Sequence, residues 1–141
     1  MKRTTRLMKT PAQTEACPCG SGPGYDACCR PLHDGAPAAD AERLMRSRYS
    51  AYALQLEPYL LATWHPDTRP ASLDIAGNPA RWIGLEVRRA ELHDENSATV
   101  EFVARCKIAG RAKRLHEISR FVKIDGRWCY LDGVHARADS V

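Results

Sequence analysis

The stretch Ala98-Thr99-Val100-Glu101-Phe102-Val103-Ala104-Arg105-Cys106-Lys107-Ile108 decides the fold. Ala98, Val100, Phe102, Ala104, Cys106 and Ile108 alternate with Thr99, Glu101, Arg105 and Lys107. Successive side chains of a strand point to opposite sides, so a period of two gives one face to a core and one to water. The same period begins upstream, where Ile83, Leu85 and Val87 alternate with Glu86 and Arg88. It continues downstream in Phe121-Val122-Lys123-Ile124 and Trp128-Cys129-Tyr130-Leu131. Between those two runs lies Asp125-Gly126, a pair suited to the positive φ angles of a two-residue hairpin turn. With turns at 93–96 and Gly110, the spacing predicts a four-stranded antiparallel meander.

Before residue 81 the period is that of a helix. Ala41, Leu44, Met45, Arg48, Tyr49, Tyr52 and Leu56 form a stripe, with Arg46 and Arg48 near its edges. Asp40 as N-cap, or Pro37 in a first turn, opens it. Pro58 suits the first turn of a second, short helix carrying Leu60 and Leu61, which His65-Pro66 ends. The prolines, Gly77 and Asn78 in 68–79 mark a connection with at most one helical turn. Helices followed by a long antiparallel sheet describe an α+β domain whose sheet curls over the helices.

A chain of 141 residues has room for one core, which excludes an enzyme with separate cofactor and substrate modules. Its 44% hydrophobic and 27% charged residues exclude a disordered chain. A net charge of +4 and a pI near 8.8 are mildly basic, short of a dedicated nucleic-acid binder, so nucleic acid is not an expected partner. Residues 1–14 read as a basic flexible tail and 136–141 as a second tail. No apolar run follows the basic start, and the most apolar segment, 59–64, is far too short to span a membrane. The expected location is the cytoplasm, with no membrane contact.

Four of the six cysteines, Cys17, Cys19, Cys28 and Cys29, crowd into thirteen residues. Disulfides within this group would strain the chain or staple only a tiny loop. A C-x-C hook and an adjacent pair are instead placed to close on one tetrahedral zinc ion. Gly20-Ser21-Gly22-Pro23-Gly24 supplies the backbone freedom to wrap the metal. His33, four residues past Cys29, can compete for it. Four thiolates fill the shell, so the zinc is structural, and loading it drops the net charge from +4 to about +2. The knuckle is expected to need metal, and the sheet to fold on its own core without it. Cys106 and Cys129, on strands, read as buried thiols.

Cys17-Pro18-Cys19-Gly20-Ser21-Gly22, Tyr25 and Cys28-Cys29 resemble the SEC-C motif found at the C-terminus of the translocation ATPase SecA. The resemblance implies a zinc site that docks a partner protein, with Cys29 where some members have His. Lysines usual in that motif are replaced here by Pro23, Gly24 and Asp26. Further strings extend the likeness: Leu44-Met45-Arg46-Ser47-Arg48-Tyr49-Ser50-Ala51-Tyr52, Thr63-Trp64-His65-Pro66, Arg81-Trp82-Ile83-Gly84-Leu85, His116-Glu117-Ile118-Ser119-Arg120-Phe121 and Trp128-Cys129-Tyr130-Leu131-Asp132-Gly133. With the knuckle they resemble the uncharacterised bacterial YchJ family over nearly the whole chain. That resemblance implies a SEC-C zinc knuckle at 15–33 and a nuclear transport factor 2-like cone at 36–135. Some members carry a second SEC-C motif at the C-terminus; this chain shows none before Val141. Cones of this kind often pair through the sheet, so a homodimer is the assembly to test.

The resemblance names no reaction, so the remaining polar residues are judged on their chemistry. Trp64, His65, Arg69, Trp82, His116, Glu117 and Ser119 are the candidate pocket. On the third strand Glu117, Ser119 and Phe121 share one face; His116, Ile118, Arg120, Val122 and Ile124 share the other. If the first face points inward, Glu117 with His65 can form an acid/base pair between tryptophan walls. If the second does, Glu117 and Ser119 are solvated. Plain alternatives stand beside these: His65 as a helix cap, the tryptophans as core anchors. Arg105, Lys107, Arg111, Lys113 and Arg114 read as a solvated hairpin tip. The preferred function is a protein-interaction adaptor acting through the knuckle. The alternative is a small-molecule-binding protein or enzyme using the cone.

Overall fold

The computed structural model describes residues 16–75 and 80–135. The expected tails at 1–14 and 136–141 lie outside them. A 3-10 turn, Tyr25–Ala27, precedes three helices, α1 (Arg30–His33), α2 (Ala41–Leu54) and α3 (Glu57–Ala62). Four strands follow: β1 (Arg81–Asp94), β2 (Ser97–Ile108), β3 (Arg111–Ile124) and β4 (Arg127–His135). No helix among the described residues is long and apolar enough to cross a membrane.

The start of α2 follows the capping rule: the Asp40 carboxylate accepts from the Arg43 amide at 2.8 Å. Its end is less conventional. Gln55 adopts a left-handed conformation, φ 61°, so that the Leu56 amide can reach the Ala51 carbonyl at 2.8 Å. Pro58 sits in the first turn of α3, where its missing N–H leaves no helical bond unmade.

The strands pair antiparallel in the order β1-β2-β3-β4, the expected meander. Asp125 and Gly126 both have positive φ, 53° and 81°, as the hairpin reading requires. Ala98, Val100, Phe102 and Ala104 of β2 join Phe121 and Trp128 in one core with Leu44, Met45 and Tyr49 of α2. Register shifts break the alternation near Trp82, Val87 and Leu92 of β1 and at Arg120 and Phe121 of β3. Trp82 pairs with Cys106 and Gly84 with Arg105, so Ile83 is an extra residue in a bulge. The bulge shifts the phase of β1: Trp82 joins Leu85 and Val87 against the core, and Ile83 is left 51% exposed.

The expectation that the sheet folds on a core of its own meets a core that the knuckle shares. Cys17, Cys19, Tyr25, Cys28 and Cys29 belong to the same buried cluster as Leu44, Phe102 and Trp128. Helix α2 is the reason, because it is covered on two sides. Met45, Tyr49 and Tyr52 face the sheet side, and Arg46, Ser47 and Ser50 bond to knuckle atoms.

Candidate functional site

The four cysteines converge at the N-terminal end of the fold. A turn closed by Gly20 N–H to the Cys17 carbonyl at 3.0 Å brings Cys17 and Cys19 together, with Gly20 at φ 77°. The second pair follows the 3-10 turn. All four side chains are buried, and their sulfurs lie within 4.8 Å of one another. Cys19 and Cys28 are 3.5 Å apart, Cys28 and Cys29 3.9 Å. No disulfide joins cysteines among the described residues. Four clustered, buried thiols could hold a metal ion.

Hydroxyls surround the sulfurs. Ser21 Oγ is 2.9 Å from Cys28 Sγ. Ser50 Oγ reaches Cys17 Sγ and Cys29 Sγ, each at 3.4 Å. Hydrogen bonds from Cys17 and Cys29 pull the Cys19 thiol far below its usual range. Donation to Cys17 and Cys19 holds the Cys29 thiol up, and burial does the same for Cys28. Like charges this close cannot all ionise without a cation.

His33 is placed as a strut outside that cluster. Its Nε2–H donates to the Ser47 carbonyl at 2.8 Å, and its Nδ1 accepts from the Tyr25 hydroxyl at 2.6 Å. A carbonyl can only accept, which fixes the tautomer and leaves neither ring nitrogen for a metal. Burial lowers the His33 pKa, and burial beside the cysteines pushes Tyr25 up to about 12. Arg46 Nη1, donating to the Cys19 carbonyl at 3.0 Å, is a second strut.

Between α2 and the concave face of the sheet lies a cavity of about 290 Å³. The polar face of β3 points into it. Glu117 and Ser119 line it, as do Trp64 and Trp82. Glu117 Oε2 accepts from Ser119 Oγ at 2.6 Å and from the Tyr130 hydroxyl at 3.3 Å. Burial, reinforced by Glu117, raises the Tyr130 pKa and keeps it a donor. The other three candidates sit elsewhere. His65 Nδ1 accepts from the Asp67 amide, and Arg69 donates to the Trp64 carbonyl, both outside the cavity lining. His116 is on the opposite face of β3, 2.7 Å from Glu101. Glu117 and His65 are thus not brought together.

The residue that sequence reasoning placed at a helix edge is the cavity's cation. Arg48 is 6% exposed and donates to the Leu60 carbonyl at 2.8 Å and Thr63 Oγ1 at 2.7 Å. Its guanidinium carbon lies 5.0 Å from the Trp64 ring centroid and 4.6 Å from that of Tyr130. Burial lowers its pKa. The available signal was its spacing, three residues after Met45 and four before Tyr52, which puts it inside the apolar stripe.

The pattern of the family described as "YchJ, middle NTF2-like domain" matches residues 40–133. UPF0225 proteins of Bordetella parapertussis and Ralstonia nicotianae are 52% and 55% identical to the chain, covering 90% and 92% of it and 98% and 97% of themselves. Two solved structures are similar over most of the chain. The solution structure of a SEC-C motif containing protein from Rhodopseudomonas palustris has a TM-score of 0.77 at 36% identity, covering 86% of this chain and 98% of that one. The crystal structure of a SEC-C motif containing protein from Psychrobacter arcticus gives 0.72 at 33%, covering 86% and 83%. Four-cysteine cluster, helix-backed meander and relatives agree, and the chain belongs to the YchJ/UPF0225 family, whose members join a SEC-C motif to a nuclear transport factor 2-like domain.

Proposed function

We propose that Cys17, Cys19, Cys28 and Cys29 hold one structural zinc ion and that the resulting knuckle is the docking surface of a protein-interaction adaptor. The donor set fits that metal. Zinc–sulfur bonds of about 2.3 Å in a tetrahedron place sulfurs about 3.8 Å apart, close to the 3.5 and 3.9 Å separations here. When bound, zinc supplies a fixed fold and no reactive position, since four sulfurs complete its shell. Ser50 orients two of those sulfurs, and Ser21 a third.

The observation that carries the adaptor reading is the division of the knuckle into two sides. Its sulfurs and Tyr25 are buried against α2, while Ser21, Gly22, Pro23, Asp26 and Ala27 form an exposed rim. A rigidly backed rim without an open metal position suits recognition better than catalysis. The docking role of SEC-C in SecA supports the same reading.

Protein purified without added metal should contain one zinc per chain by elemental analysis. A rim variant carrying Pro23→Glu and Asp26→Lys should keep its zinc and lose the cross-linked partner that wild type captures. Glu117→Gln should keep both. A metal-free, disulfide-bonded knuckle would overturn the zinc assignment, and capture that survives the rim changes would overturn the adaptor.

A further inference from the structure

Apart from the cysteine cluster, the fold buries a cation, Arg48, that has no acidic partner among the described residues. No carboxylate oxygen among the described residues lies within 4.0 Å of the Arg48 guanidinium. Its Nη1 is held by a carbonyl and a hydroxyl, and ring faces flank the rest. Neutral oxygens and aromatic faces offset only part of the desolvation of a buried charge. The guanidinium borders the cone cavity.

Beside the same wall lies a second buried donor. Trp64 lines the cavity, and its Nε1–H is buried with no hydrogen-bond partner among the described residues. Buried indole N–H groups usually find an acceptor. Across the cavity, Glu117 uses only Oε2 for Ser119 and Tyr130; Oε1 accepts no hydrogen bond among the described residues. Trp82, Phe102 and Phe121 supply apolar walls between the two ends.

We propose that the cone cavity binds a small carboxylic acid with a flat apolar body and a hydrogen-bond donor at its far end. The carboxylate pairs with Arg48 beside the Trp64 indole, the body lies among the aromatic walls, and the distal O–H or N–H donates to Glu117 Oε1. Charge selects against the alternatives. A phosphate ester brings two negative charges to a cavity holding one cation and one carboxylate, and an organic cation meets Arg48. Size sets the scale: about 290 Å³ is at the small end of ligand pockets, room for on the order of ten non-hydrogen atoms. This site is independent of the knuckle and stands whether or not the knuckle docks a partner.

The test is a titration of ¹⁵N-labelled, metal-loaded, full-length protein with 4-hydroxybenzoate, read at the indole N–H resonances and assigned with Trp64→Phe. The Trp64 resonance should move saturably while that of Trp128, outside the cavity lining, stays. Benzoate, which lacks the distal donor, should bind about tenfold more weakly. Phenol, which lacks the carboxylate, should bind about a hundredfold more weakly still. Arg48→Met should abolish the shift. Because that change also touches α3, Ala104→Leu is the second variant: it fills the cavity from β2, leaves Arg48 in place and should lower affinity at least tenfold. A Trp64 resonance unmoved by either acid at about 10 mM in the folded protein overturns the proposal, since ligands of this size bind more tightly than that when matched. Phenol binding as well as 4-hydroxybenzoate, or full affinity in Ala104→Leu, overturns it equally.

Discussion

The cysteine cluster and the cone cavity both withdraw polar atoms from water, and they differ in whether those atoms meet. At the knuckle, the sulfurs lie within 4.8 Å of one another and in reach of the Ser21 and Ser50 hydroxyls, and the His33 ring outside them bonds to Tyr25 and Ser47. In the cone, Arg48 and Glu117 border one cavity without pairing to each other, and the Trp64 N–H is buried beside it with no partner among the described residues. A satisfied buried network specifies one structure; an unsatisfied one stays destabilising until something fills it. One helix serves both, with Arg46, Ser47 and Ser50 turned to the knuckle and Arg48, Tyr49 and Tyr52 to the cavity.

The contrast breaks most severely at Cys29. Cys29→Ala opens the sulfur shell, and structural zinc contributes about 10–16 kcal/mol in small finger peptides. Metal content should fall well below one per chain. Because the cysteines share a core with Leu44 and Trp128, thermal unfolding should lose cooperativity across the whole chain. A sheet that melts unchanged would show the two regions to be energetically separate.

His33→Ala tests the struts without touching the shell. Losing two buried hydrogen bonds should cost about 2–4 kcal/mol while elemental analysis still finds full zinc. Loss of zinc would return the histidine to the ligand set.

On the cavity side, a Cβ at Gly133 would overlap the Glu117 carboxylate, coming within 2.7 Å of its Cδ. Gly133→Ala should therefore cost about 1–2 kcal/mol by displacing the acid from Ser119 and Tyr130. In a Glu117→Ala background the same change should be nearly neutral, and denaturation of the four proteins of the cycle measures the coupling. The smallest effect belongs to the shared helix. Gln55→Gly relieves a left-handed non-glycine residue and should raise stability by about 0.5–1 kcal/mol, visible as a higher midpoint in urea.

Much of this architecture was legible where local chemistry decides it. The core-facing set Ala98, Val100, Phe102, Ala104 and Cys106, the Asp125-Gly126 turn, the Asp40 cap and the cysteine spacing each act within a few residues and appear in the fold. By contrast, Ile108 of the same alternation is 41% exposed, and Val103 on the other face is buried. What was not legible depends on partners distant in sequence. The bulge at Ile83 follows from the register between β1 and β2, and no local signal separates it from ordinary alternation. The depth of Arg48 is set by Trp64 and Tyr130 closing over it. Likewise, spacing could place Glu117 and Ser119 on one face of β3 but not say which face the helices cover. The sharing of one core by knuckle and cone rests on the second buried side of α2, which small serines occupy and hydrophobic periodicity does not mark.

The position of the knuckle at the N-terminal side of the helix that backs it also orders events during synthesis. All four thiols leave the ribosome before any strand of the meander, whose neighbours in sequence are neighbours in the sheet and close quickly over short turns. In that interval the cysteines lack the shared core that later buries them and are open to oxidants. If the four thiols hold zinc as proposed, its early capture is also protective: a nascent chain that meets the metal late should accumulate wrongly oxidised thiols, even though the folded protein keeps the same sulfurs out of reach.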